Sequence, residues 1–214
     1  VGGKYISYTE ENPITMNPFR IQREELNVEK IGFLKNLIML IWKGSNGEVS
    51  KTEDRLIEQV ITEYYEAYFV GFKGYSASQR DALHKKFLIE TATQGSATDT
   101  NEEVEARINK RIKEMEDRRK ALKVKELSFN SFYEYSTQRI PYICNENKIA
   151  GIDISTYNYM LMDFYRGGSH ERTLNENLDS TLFDETFIVF EIDTIKDDPL
   201  LFPLVTLITM DVFI

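Results

Sequence analysis

Few residues in this 214-residue chain have the type and spacing that chemistry requires. Gly2-Gly3-Lys4 suggests a phosphate-binding loop. Such a loop follows G-x-x-x-x-G-K-[ST], in which backbone N–H groups cradle phosphates and the hydroxyl holds magnesium. Here Tyr5 follows the lysine and no earlier glycine is present, so the pattern fails. Asp184-Glu185 suggests an acidic pair for magnesium and water, but it precedes an apolar run, Thr186 to Ile192. Ligands of open α/β sheets gather at the carboxyl ends of strands, so this pair reads as a loop acid. Asp193 does lie at the carboxyl end of that run, which makes it a candidate for a place near a nucleotide, although a lone carboxylate there reads first as a turn residue.

Other chemistries have less support. Cys144 is the single cysteine and reads as a small apolar residue on a helix, which rules out an intrachain disulfide. His84 and His170 are far apart, and no His/Cys cluster has zinc-ligand spacing, so no metal is expected. No Ser/His/Asp or Cys/His set is evident. The net charge of −9 disfavours general nucleic-acid binding, because phosphate affinity rests on Lys and Arg. DNA contact is therefore not indicated by charge. The longest apolar run, Leu200 to Ile214, is broken by Pro203, Thr206, Thr209 and Asp211 and is too short to span a bilayer.

The elements that position these residues follow from periodicity. Lys4 to Thr9 predicts a short strand, punctuated by Asn12-Pro13 and Asn17-Pro18. Glu24 to Lys43 predicts a helix stopped by Gly44. Ser50 to Glu53 is a capping-box pattern opening a helix whose neighbouring rows, Leu56-Val60-Tyr64-Tyr68 and Ile57-Ile61-Tyr65-Phe69, make one buried face. Ser76 to Ile89 predicts a further helix, and Gln94 to Asn101 a loop. A second capping box, Thr100 to Glu103, starts a polar helix expected to reach about Lys123. From Glu102 to Lys125 this stretch carries nine bases and six acids, a net of +3. It reads as a solvated helix with pairs such as Glu103–Arg107 and Glu114–Arg118, rather than as a DNA strip.

Ser128 should cap a helix that Pro141 kinks or interrupts near Ile140. Asp153 or Ser155 caps the next, ended by Gly167-Gly168, and Ser169 to Thr181 reads as loop. Thr186 to Ile192 is apolar enough for a strand buried on both faces of a parallel sheet. Asp198 caps a final buried helix with Pro199 at its first position. The order is strand, long helical stretch, strand, buried helix. A parallel sheet interrupted by an all-helical insertion explains it. Both ends read as cut, since Val212-Phe213-Ile214 is apolar and Val1 precedes a strand directly.

Five stretches resemble the TraG proteins of conjugative transposons, among the VirB-type ATPases of type IV secretion. They are Gly2–Phe19 (GGKYISYTEENPITMNPF), Leu26–Gly44, Lys51–Tyr65, Glu126–Ser136 (ELSFNSFYEYS) and Leu182–Phe213. The likeness is weakest from about Gly71 to Lys123. The resemblance implies a partial RecA-like P-loop ATPase core, α/β in class, formed by 1–20 and 183–214, with 21–182 as an inserted helical subdomain. It implies a motor at the cytoplasmic side of the bacterial inner membrane, with neighbouring motor subunits and secretion-channel proteins as partners. The phosphate loop and the acidic magnesium strand would lie outside this chain. ATP and magnesium then belong to the parent protein, with no cofactor and no catalytic residue expected here. Asn17, Pro18 and Phe19 match the family segment leaving a core strand, which implies proximity to the nucleotide.

Overall fold

The computed structural model describes residues 3–94 and 100–213. The loop expected over 94–101 falls mostly outside them. Most of the described chain is helical, with one sheet of two strands, β1 (Lys4–Ser7) and β2 (Ile188–Glu191). The strands are parallel, with Lys4 opposite Ile188 and Ser7 opposite Glu191. The Lys4 N–H donates to the Phe187 carbonyl at 2.9 Å and the Tyr8 N–H to the Glu191 carbonyl at 2.9 Å, carrying the ladder past both ends. Parallel strands require a crossover; here it is the whole helical stretch between them.

β2 is half-buried along its length, and Phe187 beside it is 60% exposed. The expectation of a strand covered on both faces is corrected on this point. Among the described residues β2 has one neighbouring strand, and a single pair shields only part of its surface.

Contact density divides the chain into two compact units, 1–68 with 124–214, and 69–123. These cuts fall inside the 21–182 stretch assigned to a helical subdomain from sequence.

In the first unit, α1 (Val28–Lys43) starts at Asn27, whose side chain accepts from Lys30 N at 2.8 Å. It stops at Gly44, whose φ of +73° is left-handed and suits glycine. α2 (Lys51–Phe69) opens on the expected capping box: Ser50 N donates to the Glu53 carboxylate at 2.9 Å, and Glu53 N donates to Ser50 Oγ at 3.2 Å. Leu56, Ile57, Val60, Ile61, Tyr64 and Tyr65 of the predicted face are buried, while Tyr68 at the last turn is exposed.

α5 (Phe129–Asn147) is capped by Ser128 and runs through Pro141 without a break, which corrects the expected interruption. Proline removes one helical hydrogen bond. The flanking residues hold the turn: Ile140 and Ile143 are buried, and Arg139, 3% exposed, binds Glu63 at 2.6 Å and Glu146 at 3.2 Å. α6 (Ile154–Leu161) is capped by Asp153 and continues as a 3-10 turn to Phe164. The segment read as loop contains α7 (Glu171–Asn175) and a 3-10 turn over Ser180–Asp184, stabilised by the Asn175 side chain donating to Phe164 O at 3.0 Å. α8 (Leu201–Phe213) buries Leu201, Leu204, Val205 and Ile208 and exposes Phe202 and Met210.

The second unit contains the whole of α3 (Ala77–Gln94) and α4 (Asn101–Ala121). They close on Phe87, Ile108, Ile112 and Met115, with Tyr75, Leu83 and Val104 packed alongside. Buried Glu116 accepts from Tyr75 N at 2.9 Å and pairs with Arg80 at 2.7 Å, so the carboxylate is matched. Arg111 lies 3.9 Å over the Phe87 ring and reaches Glu90 at 3.0 Å.

Candidate functional site

Asn17, Pro18 and Phe19 follow β1 and form a joint. The Asn17 carboxamide oxygen accepts from Phe19 N at 3.1 Å, and its nitrogen donates to Leu127 O at 2.9 Å. Pro18 is buried, and Phe19 is fully so. The Phe19 ring lies 5.1 Å from Phe132, 5.9 Å from Phe129 and 6.3 Å from Tyr64. The polar atoms of Asn17 therefore fix backbone, and Phe19 is core. Asn17 and Pro18 also line a cavity of about 420 Å³ with Arg20, Lys30 and Asp211, where Lys30 and Asp211 form an ion pair.

Asp193 is exposed at the carboxyl end of β2. Its backbone N–H donates to Glu191 Oε1 at 2.6 Å, and its carboxylate pairs with Lys196 at 2.9 Å. Residues just after it have different surroundings. Thr194, Ile195 and Asp198 turn onto a second cavity, of about 650 Å³.

That cavity lies at the carboxyl edge of the parallel pair, where open α/β sheets place ligands. Tyr8 and Glu10 enter it from the end of β1, and Thr194, Ile195 and Asp198 from the end of β2. His170, Glu171, Arg172 and Thr173 come from the segment around α7. Pro13, Ile195 and Leu201 supply apolar wall. Tyr8 is 3% exposed; burial, then Asp198 and Glu10, push its phenol above the ordinary value, so the hydroxyl stays protonated. Asp198 Oδ1 caps α8, accepting from Leu200 N at 2.8 Å and Leu201 N at 2.7 Å. Glu171 accepts from Gly167 N at 2.9 Å. Arg172 is engaged outward, with Glu176 at 2.9 Å and the Glu11 carbonyl at 3.0 Å. Thr173 is buried with its hydroxyl oxygen unpartnered.

The residues present do not fit a triphosphate. Three carboxylates line the cavity, and its one guanidinium is already bound. Among the described residues no three His, Cys, Asp or Glu side chains gather as a metal site. Sequence reasoning missed Tyr8, Glu10, His170 and Arg172. Tyr8 and Glu10 had one usable signal, their place just after a strand. The α7 residues had none, because only folding brings them to that edge.

Charge is segregated along the chain. Residues 69–123 carry twelve Lys and Arg against nine Asp and Glu, a net of +3, while the remainder carries 14 against 26, a net of −12. On α4, Lys110, Lys113 and Lys120 are exposed, while Glu114 pairs with Arg118 at 3.7 Å. His84 of α3 faces Glu105 of α4 at 2.6 Å. Cys144 is buried, and burial pushes its thiol up, away from the reactive thiolate. No helix among the described residues is long and apolar enough to cross a membrane.

A family model described as the TraG P-loop domain matches residues 1–79 and 68–214. No curated protein and no solved structure matches the chain.

Proposed function

From the premise that the chain belongs to the TraG P-loop domain family, we propose that it is part of a conjugation motor ATPase whose nucleotide-gripping parts lie on other segments of the parent protein. The observation that carries this reading is the parallel pairing of β1 with β2 across the whole helical stretch. An α/β core interrupted by helices has this form, and a free-standing helical bundle does not. In this reading 1–20 and 183–214 contribute to a RecA-like core, and 21–182 is the helical subdomain set into it. Asn17, Pro18 and Phe19 hold the exit of β1 rigid, and Asp193 stands at the nucleotide edge of β2.

Phosphoryl transfer needs a phosphate cradle, a magnesium ion and a positioned water. The sequence contains no G-x-x-x-x-G-K-[ST], and the cavity at the strand ends has the wrong charge for phosphates. ATP and magnesium belong to the parent protein in this proposal, and this chain's residues take no chemical step. The parent would act at the cytoplasmic face of the bacterial inner membrane, as an oligomer, powering DNA transfer or pilus assembly in type IV secretion. The compact basic unit 69–123, within an otherwise acidic chain, favours a second role for the same polypeptide, as a helical interaction module for neighbouring subunits or channel proteins.

Titration calorimetry of magnesium-ATP into the chain, beside hydrolysis by the parent protein, tests the proposal. The expected result is no binding heat from the chain and steady turnover by the parent. Micromolar binding by the chain overturns the division of labour, and a parent without ATPase activity overturns the motor reading.

A further inference from the structure

The cavity at the carboxyl edge of β1 and β2 is negatively charged without a matching cation. Glu10 and Asp198 form no ion pair among the described residues. Arg172 points its guanidinium to Glu176 and the Glu11 carbonyl. Carboxylates at a cavity wall can simply be solvated, so their presence alone identifies nothing. Tyr8 is the second, independent observation. It is 3% exposed, lines the cavity, and its hydroxyl makes no hydrogen bond among the described residues. That hydroxyl lies in the field of both Asp198 and Glu10. The fully buried unpartnered oxygens among the described residues are those of Asn130, Asn158 and Thr173, so the Tyr8 hydroxyl is not sealed off but opens on the cavity, where it is available to a ligand.

We propose that this cavity binds a guanidinium or ammonium group carried on a flexible apolar stem, held between the carboxylates of Glu10 and Asp198 and the hydroxyl of Tyr8. The cation donates to the two carboxylates, and the Tyr8 oxygen accepts a further N–H. Asp198 can do this while still capping α8, because Oδ1 serves the cap and Oδ2 has no hydrogen-bond partner among the described residues. The stem lies along Pro13, Ile195 and Leu201, as Lys and Arg stems lie on apolar surface elsewhere. A volume of about 650 Å³ leaves room for the stem and bridging waters. A dedicated divalent-metal cage is the poorer fit, since no three ligating side chains converge among the described residues. The source of the cation is either an arginine or lysine side chain of a protein or a free polyamine. The inference does not rest on the motor reading.

Agmatine, a four-carbon stem with a guanidinium at one end and an ammonium at the other, is the probe. Backbone amide resonances of Tyr8, Thr173 and Thr194 should shift saturably, with a dissociation constant in the millimolar range. Butylacetamide, uncharged and of similar length, should leave them unmoved at equal ionic strength. Glu10→Gln with Asp198→Asn should weaken agmatine by at least about tenfold, and Asn still caps the helix, so the fold persists. Tyr8→Phe should weaken it by about threefold. Acetyl-arginine methylamide binding as well as agmatine upholds the site and indicates a protein side chain as its source; tighter binding of spermidine upholds the site and indicates a free polyamine. No saturable shift with agmatine, or equal binding by the doubly substituted chain, overturns the proposal. Displacement of agmatine by magnesium at constant ionic strength also overturns it, because the cavity would then be a metal site.

Discussion

The hydroxyl of Tyr65 donates to the backbone carbonyl of Phe19 at 2.9 Å, and both residues are fully buried. This bond ties α2 to the segment that leaves β1. The aromatic rings around Phe19 close the same joint from α5.

Tyr65→Phe keeps the ring and removes the donor, leaving a buried carbonyl unsatisfied. The expected loss of stability is about 1–3 kcal/mol. Phe19→Ala empties the centre of the cluster and should cost about 3–5 kcal/mol. Urea unfolding of the two variants checks both values. If Tyr65→Phe is as stable as the parent chain, water must reach the Phe19 carbonyl.

Arg139 is 3% exposed and bridges Glu63 of α2 to Glu146 of its own helix. Gln59 also donates to Glu63, at 2.9 Å. Arg139→Met strands a buried carboxylate and should destabilise by about 3–5 kcal/mol. Adding Glu63→Leu should recover part of that loss, since a pair replaced by apolar groups leaves no uncompensated charge. A thermal unfolding cycle on the two single variants and the double variant measures the coupling; strict additivity would show that the bridge contributes nothing.

Burial pushes the Glu53 carboxyl up, but Lys43 at 2.5 Å and the Ser50 bonds outweigh it, so the group stays below its ordinary value of 4.5. A depressed carboxyl stabilises the fold fully above its unfolded value. That contribution is lost as pH falls through the folded value. Glu53→Gln should therefore cost stability at pH 7 and flatten the decline between about pH 5 and pH 3. Chemical denaturation across this range reads the slope, and parallel curves for the two proteins would remove Glu53 from the account.

Lys110, Lys113 and Lys120 share an exposed face of α4, but the chain around the basic unit is strongly acidic. Retention of duplex DNA at about 150 mM salt should be absent, and any binding at low salt should show a shallow slope. Fluorescence anisotropy against salt concentration tests this. A steep slope that Lys110→Glu, Lys113→Glu and Lys120→Glu abolish would make α4 a DNA contact.

Local chemistry made the helices readable. Ser50, Thr100, Ser128 and Asp198 were each identifiable as caps, and Asp153 as one of two candidates with Ser155, because a cap depends on residues three positions away. The buried face of α2 followed from its 3.6-residue period, and β1 and β2 from their runs of β-formers. The interruption expected at Pro141 does not occur, and local backbone rules do not include Glu63, which lies on another helix and braces Arg139 beside it. The loop expected over 169–181 misled for a similar reason, since Asn175 stabilises that region through Phe164.

Sequence by itself determined the two strands, the longer helices, most of their caps and the net charge, all of which depend on near neighbours or on composition. Only the tertiary structure decided that β1 pairs with β2, that Phe19 is core, and that Tyr8, Glu10, His170 and Asp198 share one cavity. Lys4 and Ile188 are more than 150 positions apart, as are Tyr8 and His170, and Phe19 packs on α5 residues more than 100 positions away. Closing so long a loop costs entropy that only the packed whole repays, and no local pattern records it.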